Sequence, residues 1–145
     1  MTAGEPPAAR SDARRGEAGP DSAAEVETER LRAFRARNRQ YLSFGLDRVA
    51  AACFVAGAAS GLRGRVLDVG TGKGLFAVEL ARRGLEVVSV DVDDTDRELA
   101  RLLAAEAGVG DRVSFVAGDA ARLDYPAGCF DGVAMMDVLH HLAQP

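Results

Sequence analysis

The sequence predicts an α/β fold: a parallel sheet of about four strands, flanked by helices and preceded by a helical cap. Three observations carry this. From Arg65 onward, short β-branched runs alternate with helical stretches of about 10–15 residues. A glycine-rich turn at 70–74 joins the first run to the next helix. Two helical stretches precede this alternation, and strands that alternate with helices imply right-handed crossovers and a parallel sheet.

At 145 residues the chain has the length of one domain. Its 48% apolar and 28% charged residues are ordinary for a globular protein. The net charge is −4, and residues 1–29 hold seven acids against three arginines, so the rest is close to neutral. A near-neutral body lacks the basic patch that a nucleic-acid partner requires. Cys53 and Cys129 stand far apart with no CxxC or CxxH spacing, so neither a zinc site nor a disulfide framework is expected, and no metal is assigned. The N-terminus shows no secretory apolar segment. The longest apolar run, Val49 to Leu62, is broken by Gly57, Ser60 and Gly61 and falls short of the roughly 18 residues of a membrane span. A cytoplasmic protein without membrane association is the expectation.

Residues 1–22 are rich in Ala, Gly, Pro, Glu and Arg and read as a disordered tail, since they bury too little to offset ordering entropy. Residues 23–62 read as N-terminal helices forming a cap or lid. The first runs from about Ala23 to Tyr41, with Leu31, Phe34, Tyr41 and Leu42 near one face and its arginines on a solvated surface. The second runs from about Leu46 to Ala59. Leu46, Val49, Ala50, Cys53 and Phe54 form its apolar stripe, which places Cys53 in the core, and Gly61 stops it. Residues 63–145 read as the sheet domain. Its strands are Arg65–Val69, Glu86–Val90, Arg112–Val116 and Phe130–Met136, and its helices run from about Lys73 to Arg83 and Asp94 to Ala107. A further helix is expected to begin at Asp137, whose carboxylate could cap it. The fourth strand has no successor to cover its apolar edge. The expectation is a domain incomplete at its C-terminus, completed by about 80–120 further residues or by an oligomer partner, since such domains are larger.

The chemistry-bearing segment is Asp68-Val-Gly70-Thr-Gly72-Lys-Gly74. Glycines let the backbone turn sharply and meet a ligand without Cβ obstruction. A triphosphate loop, GxxxxGK[ST], is excluded because Gly74 follows Lys73 and Leu67 stands where its first glycine belongs. The dinucleotide fingerprint GxGxxG breaks at Leu75, and Asp68 would sit close to a pyrophosphate of like charge. The pattern suits a phosphate-free ligand that presents positive charge at this point.

These residues resemble the class I (Rossmann-like) S-adenosylmethionine-dependent methyltransferases, particularly the small-molecule type. The resemblance covers roughly residues 40–142. It implies that Asp68, Gly70, Gly72 and Gly74 surround the methionine part of S-adenosyl-L-methionine. It implies that Asp91, 19 residues beyond Gly72, accepts the ribose hydroxyls and that Val92 packs on the adenine. Gly118-Asp119-Ala120 resembles the family's adenine-contacting segment, with Asp119 and Ala120 as the contacts. Met136 and Asp137 would line the methionine end through their backbone. The implied function is methyl transfer to a small-molecule acceptor, with no catalytic residue assigned. A non-catalytic binding fragment and a nicotinamide-dependent oxidoreductase stay open as alternatives. His140 and His141, adjacent on a helix, would point about 100° apart and so could not share one target. Lys73, the single lysine, reads as solvent-facing, Asp131 as a turn residue, and Phe34, Tyr41, Phe44 and Phe54 as candidate lid residues.

Overall fold

The structure, a computed structural model, describes residues 23–142, so the expected disordered tail at 1–22 lies outside the described residues. Two helices lead, α1 (Ala23–Ser43) and α2 (Arg48–Ala58). There follow β1 (Arg65–Val69), α3 (Leu75–Arg82), β2 (Glu86–Asp91), α4 (Arg97–Glu106), β3 (Val113–Ala117) and β4 (Gly132–Met135). The strands form one sheet in the order β3-β2-β1-β4 with every pairing parallel. This is the expected fold class. Among the described residues no single helix is long and apolar enough to cross a membrane.

Side-chain alternation along the strands makes two apolar faces. Val66, Val87, Val113 and Phe115 face a core closed by α2, α3 and α4. Leu67, Val69, Val88 and Val90 face the other way, against Ala120, Leu123, Tyr125, Phe130 and Val138 of the connecting segments. On β4, which has one neighbour among the described residues, Val133 and Met135 are exposed.

Several boundaries move for local reasons. Helix α3 begins at Leu75 because Thr71–Gly74 closes a turn, the Gly74 N–H donating to the Thr71 carbonyl at 2.8 Å. Helix α4 begins at Arg97 because Asp93 turns back on itself, its Oδ1 accepting from the Thr95 N–H at 2.8 Å. The helix expected at Asp137 is a 3₁₀ turn, Leu139–His141, with no side-chain cap. Asp137 instead takes a positive φ of 62° and caps no helix.

The stripe expected on α2 is also on the wrong side. Ala52 and Ala56 are its buried residues, whereas Phe54 is 83% exposed and Cys53 is exposed. Helix α2 packs on α3, and small side chains let the two backbones approach, leaving the larger apolar groups outside. Cys53 is therefore not a core residue; its carbonyl accepts from Arg83 Nη2 at 2.9 Å. On α1, Phe34 is the buried anchor, and Arg35 reaches Glu106 of α4 at 2.8 Å.

Gly74 fixes how α3 meets α4. Its φ is +80°, and a Cβ would lie 2.6 Å from Ala100 Cβ and 2.9 Å from Ala100 Cα. Backbone cannot yield as a flexible side chain does. Gly74→Ala is therefore expected to destabilise the fold by about 2 kcal/mol, read as a lower urea midpoint at unchanged slope.

Candidate functional site

In an open parallel sheet the crevice for a ligand lies beyond the carboxyl ends of the strands, where the strand order reverses. Here the order reverses at β1, whose two neighbours are β2 and β4. The turn 70–74 leaves the end of β1, Asp91 closes β2, Gly118–Ala120 follows β3, and Met136–Asp137 follows β4. Residues from four separate segments are thus carried to one edge. Direct contacts tie them together. The Gly70 N–H donates to the Val90 carbonyl at 2.8 Å, and the Gly118 N–H to the Asp91 carbonyl at 2.9 Å. Gly70 also lies so close to Val138 that a Cβ would stand 2.1 Å from its Cγ2.

Asp68 occupies the last turn of the pleat beneath this loop and is 1% exposed. Its Oδ2 accepts from Ser89 Oγ at 2.7 Å. Its Oδ1 is buried and has no partner among the described residues. Ser89, its own proton used, accepts from Thr71 Oγ1 at 2.7 Å, so a hydroxyl chain runs from the loop to the carboxyl. Loss of water raises the Asp68 pKa from 3.8 to about 7; the Ser89 bond opposes this and the nearby Asp91 charge adds to it. Asp68 therefore lies under the loop rather than at an open rim. An atom without accessible surface meets a ligand only through a small shift of the loop or an intervening water.

Ser89 and Thr71 were missed from the sequence. The readable signal was a lone hydroxyl inside the apolar run Glu86-Val-Val-Ser-Val90, but only the register Asp68↔Ser89 shows what it serves.

Asp91 stands across the loop. Its Oδ2 accepts from the Gly72 N–H at 2.8 Å and its Oδ1 from the Asp93 N–H at 2.9 Å. Val92 beside it is 78% exposed. Asp119 Oδ1 accepts from the Ala121 N–H at 2.9 Å, which is a turn-forming bond, and Ala120 packs on the second face of the sheet. The Met136 side chain joins the helix-covered core, leaving its backbone at the edge.

The expectations for Lys73 and the two histidines are corrected. Lys73 is not solvent-facing: its ammonium pairs with Asp96. His140 and His141 are not splayed: their rings lie with centroids 3.9 Å apart, tilted by 42° to one another. Among the described residues no group of three or more His, Cys, Asp or Glu could hold a metal ion. Asp131 lies at the opposite end of the sheet, its Oδ2 accepting from the Arg65 N–H at 2.7 Å, a bond that joins the starts of β1 and β4 rather than closing a turn. Of the candidate lid residues, Phe34 is buried, whereas Phe44 and Phe54 are 78% and 83% exposed.

Residues 66–145 match the family described as "Methyltransferase domain", a stretch covering more than half of the chain. The chain is 37% identical over 94 residues to the ubiquinone biosynthesis O-methyltransferase of Pectobacterium atrosepticum, covering 63% of this chain and 38% of that one. It is 41% identical over 83 residues to the enzyme of the same name from Xanthomonas axonopodis pv. citri, covering 56% and 34%. The crystal structure of the YcgJ protein from Bacillus subtilis superposes with a TM-score of 0.58 at 28% identity, covering 66% of this chain and 41% of that one. The chain thus spans well under half the length of these relatives. The matched stretch opens inside β1 and takes in all four strand ends at the crevice, and the chain belongs to the methyltransferase domain family.

Proposed function

We infer that this chain forms the S-adenosyl-L-methionine-binding part of a methyltransferase that acts on a small-molecule acceptor. The name borne by its relatives favours an oxygen atom as the acceptor. The observation that carries the reading is the pair of carboxylates flanking the glycine loop, one of them with a buried oxygen that no described residue satisfies. Buried polar atoms are almost always paired, and an orphan at a strand end asks for a donor from outside.

The residues present fit this cofactor. A Cβ built on Gly72 would meet nothing within 4 Å, so the loop's outer surface is free for a ligand to approach. The ligand's ammonium supplies the donor, and the positive charge, that the Asp68 Oδ1 lacks. Asp91 keeps lone pairs for ribose hydroxyls while its N–H contacts hold it in place. A pyrophosphate in this position would meet the Asp68 carboxyl with like charge, which disfavours the nicotinamide alternative. When bound, the cofactor supplies an activated methyl on a sulfonium. The chain's own contribution is to orient that group and keep water from it.

The test is calorimetric titration with S-adenosylhomocysteine, which carries the same ammonium and ribose. An approaching ammonium favours the ionised form of Asp68 and so lowers its pKa below about 7. Binding then releases a proton, and affinity should rise with pH up to about 7 and level off above it. Asp68→Asn should abolish that slope, binding about tenfold more weakly at pH 8 and converging with the parent chain in mild acid. Failure of the parent chain to bind, or equal affinity of the two at pH 8, would overturn the assignment.

A further inference from the structure

Three glycines in the five residues 70–74 open the backbone to a ligand, and the same freedom makes the loop costly to order. Gly70 and Thr71 are tied to β2 at Val90 and Ser89, and side chains hold the next two residues. The Gly72 N–H is taken by Asp91 Oδ2, and the Lys73 ammonium by Asp96 Oδ2. The two acceptors bound the segment that runs from the last residue of β2 to the N-cap of α4, so loop and segment are stitched side by side.

Asp96 is the N-cap residue of α4, a position where aspartate ordinarily accepts from the helix's own first N–H groups. Its side chain makes no such bond and turns to Lys73 instead. A capping residue that gives up its cap for a neighbouring loop points to a role for that neighbour. Asp91, Asp93, Asp94 and Asp96 also crowd this segment with negative charge. Arg97 answers Asp94 at 2.6 Å, and Lys73 answers Asp96 from inside the glycine loop. The ammonium and carboxylate of the Lys73–Asp96 pair are only partly exposed, at 26% and 37% of their side chains, so solvent screens them less than a fully exposed pair.

We propose that Lys73 and Asp96 are positioning residues that clasp the glycine loop against the Asp91 segment and preset the width of the crevice for the nucleoside. The clasp rests on the reading of that crevice as the cofactor site. Neither residue touches the ligand. They act by ordering Gly72 and Asp91 before it arrives, which removes an entropic cost from binding.

The test uses S-adenosylhomocysteine titrations of the whole chain and of Lys73→Met, Asp96→Asn, the double variant, and the reversed pair Lys73→Asp with Asp96→Lys. Asn is as good a helix cap as Asp, so Asp96→Asn should leave thermal stability unchanged or raised. Each single variant should still bind about tenfold more weakly, the affinity lost with the ordering of about one residue. The double variant should be no weaker than either single one, and the reversed pair should recover most of the loss. Salt of about 1 M should weaken the parent chain more than Lys73→Met. Parent-like binding by Lys73→Met, or losses that multiply in the double variant, would overturn the clasp while leaving the cofactor reading intact. Absence of binding by the parent chain would remove that reading, and the clasp with it.

Discussion

Asp68→Asn is expected to stabilise the folded chain at pH 8 and to leave it unchanged near pH 4. The carboxyl titrates at about 7 in the fold against 3.8 ordinarily, because burial strips its water and only one oxygen finds a donor. Between those two values the folded chain holds a proton that the unfolded chain has released. Stability therefore falls as pH rises through this window and is flat above about 7. The shift corresponds to a cost of about 4 kcal/mol once both states are ionised. Asparagine keeps an oxygen for Ser89 and never ionises, so the variant escapes the cost. Urea unfolding of both chains from pH 4 to pH 8 measures it. Parallel pH profiles would show that Asp68 is ionised in the fold at no cost, and the orphaned oxygen would need another explanation. The same substitution should weaken S-adenosylhomocysteine binding, so the carboxyl is held at the expense of the fold, as is common where a site needs a charge that the core does not.

Much of this could be read before the fold was seen, for a reason particular to the elements concerned. The strands β1 and β2 carry β-branched runs with an acid at or next to the last residue, and alternation with helices favours one sheet type, so the parallel order followed. The glycine spacing and the two acids could be named because each lies within a few residues of a strand end, and strand ends share an edge. What was hidden depends on neighbours distant in sequence. That Ser89 serves Asp68 is fixed by strand register, which no local pattern encodes. Lys73 was read as solvated because its partner Asp96 lies 23 residues on, at the start of α4. The face of α2 was misread because size argued for Leu46, Val49 and Phe54 inside, whereas the close packing of α2 on α3 selects Ala52 and Ala56. Asp137 looked like a cap, but its positive φ turns the chain away before a helix forms.

Asp91→Ala is expected to weaken S-adenosylhomocysteine binding by more than a hundredfold. Two ribose hydroxyls that donate to one carboxylate make two charge-assisted bonds, each worth about 1.5–3 kcal/mol. The carboxylate is ready for this, since N–H donors from Gly72 and Asp93 fix its plane at 2.8 and 2.9 Å. Removing it also frees Gly72, so part of the loss will come from the loop. The two contributions separate through the ligand. In the parent chain, adenosine should bind much more tightly than 2′,3′-dideoxyadenosine, because only the former has hydroxyls to donate. In Asp91→Ala that preference should vanish, whereas loosening of the loop would weaken both nucleosides alike. If the variant still distinguished the two nucleosides as sharply as its parent, another residue would be holding the ribose, and Asp91 would be left as a brace for the glycine loop.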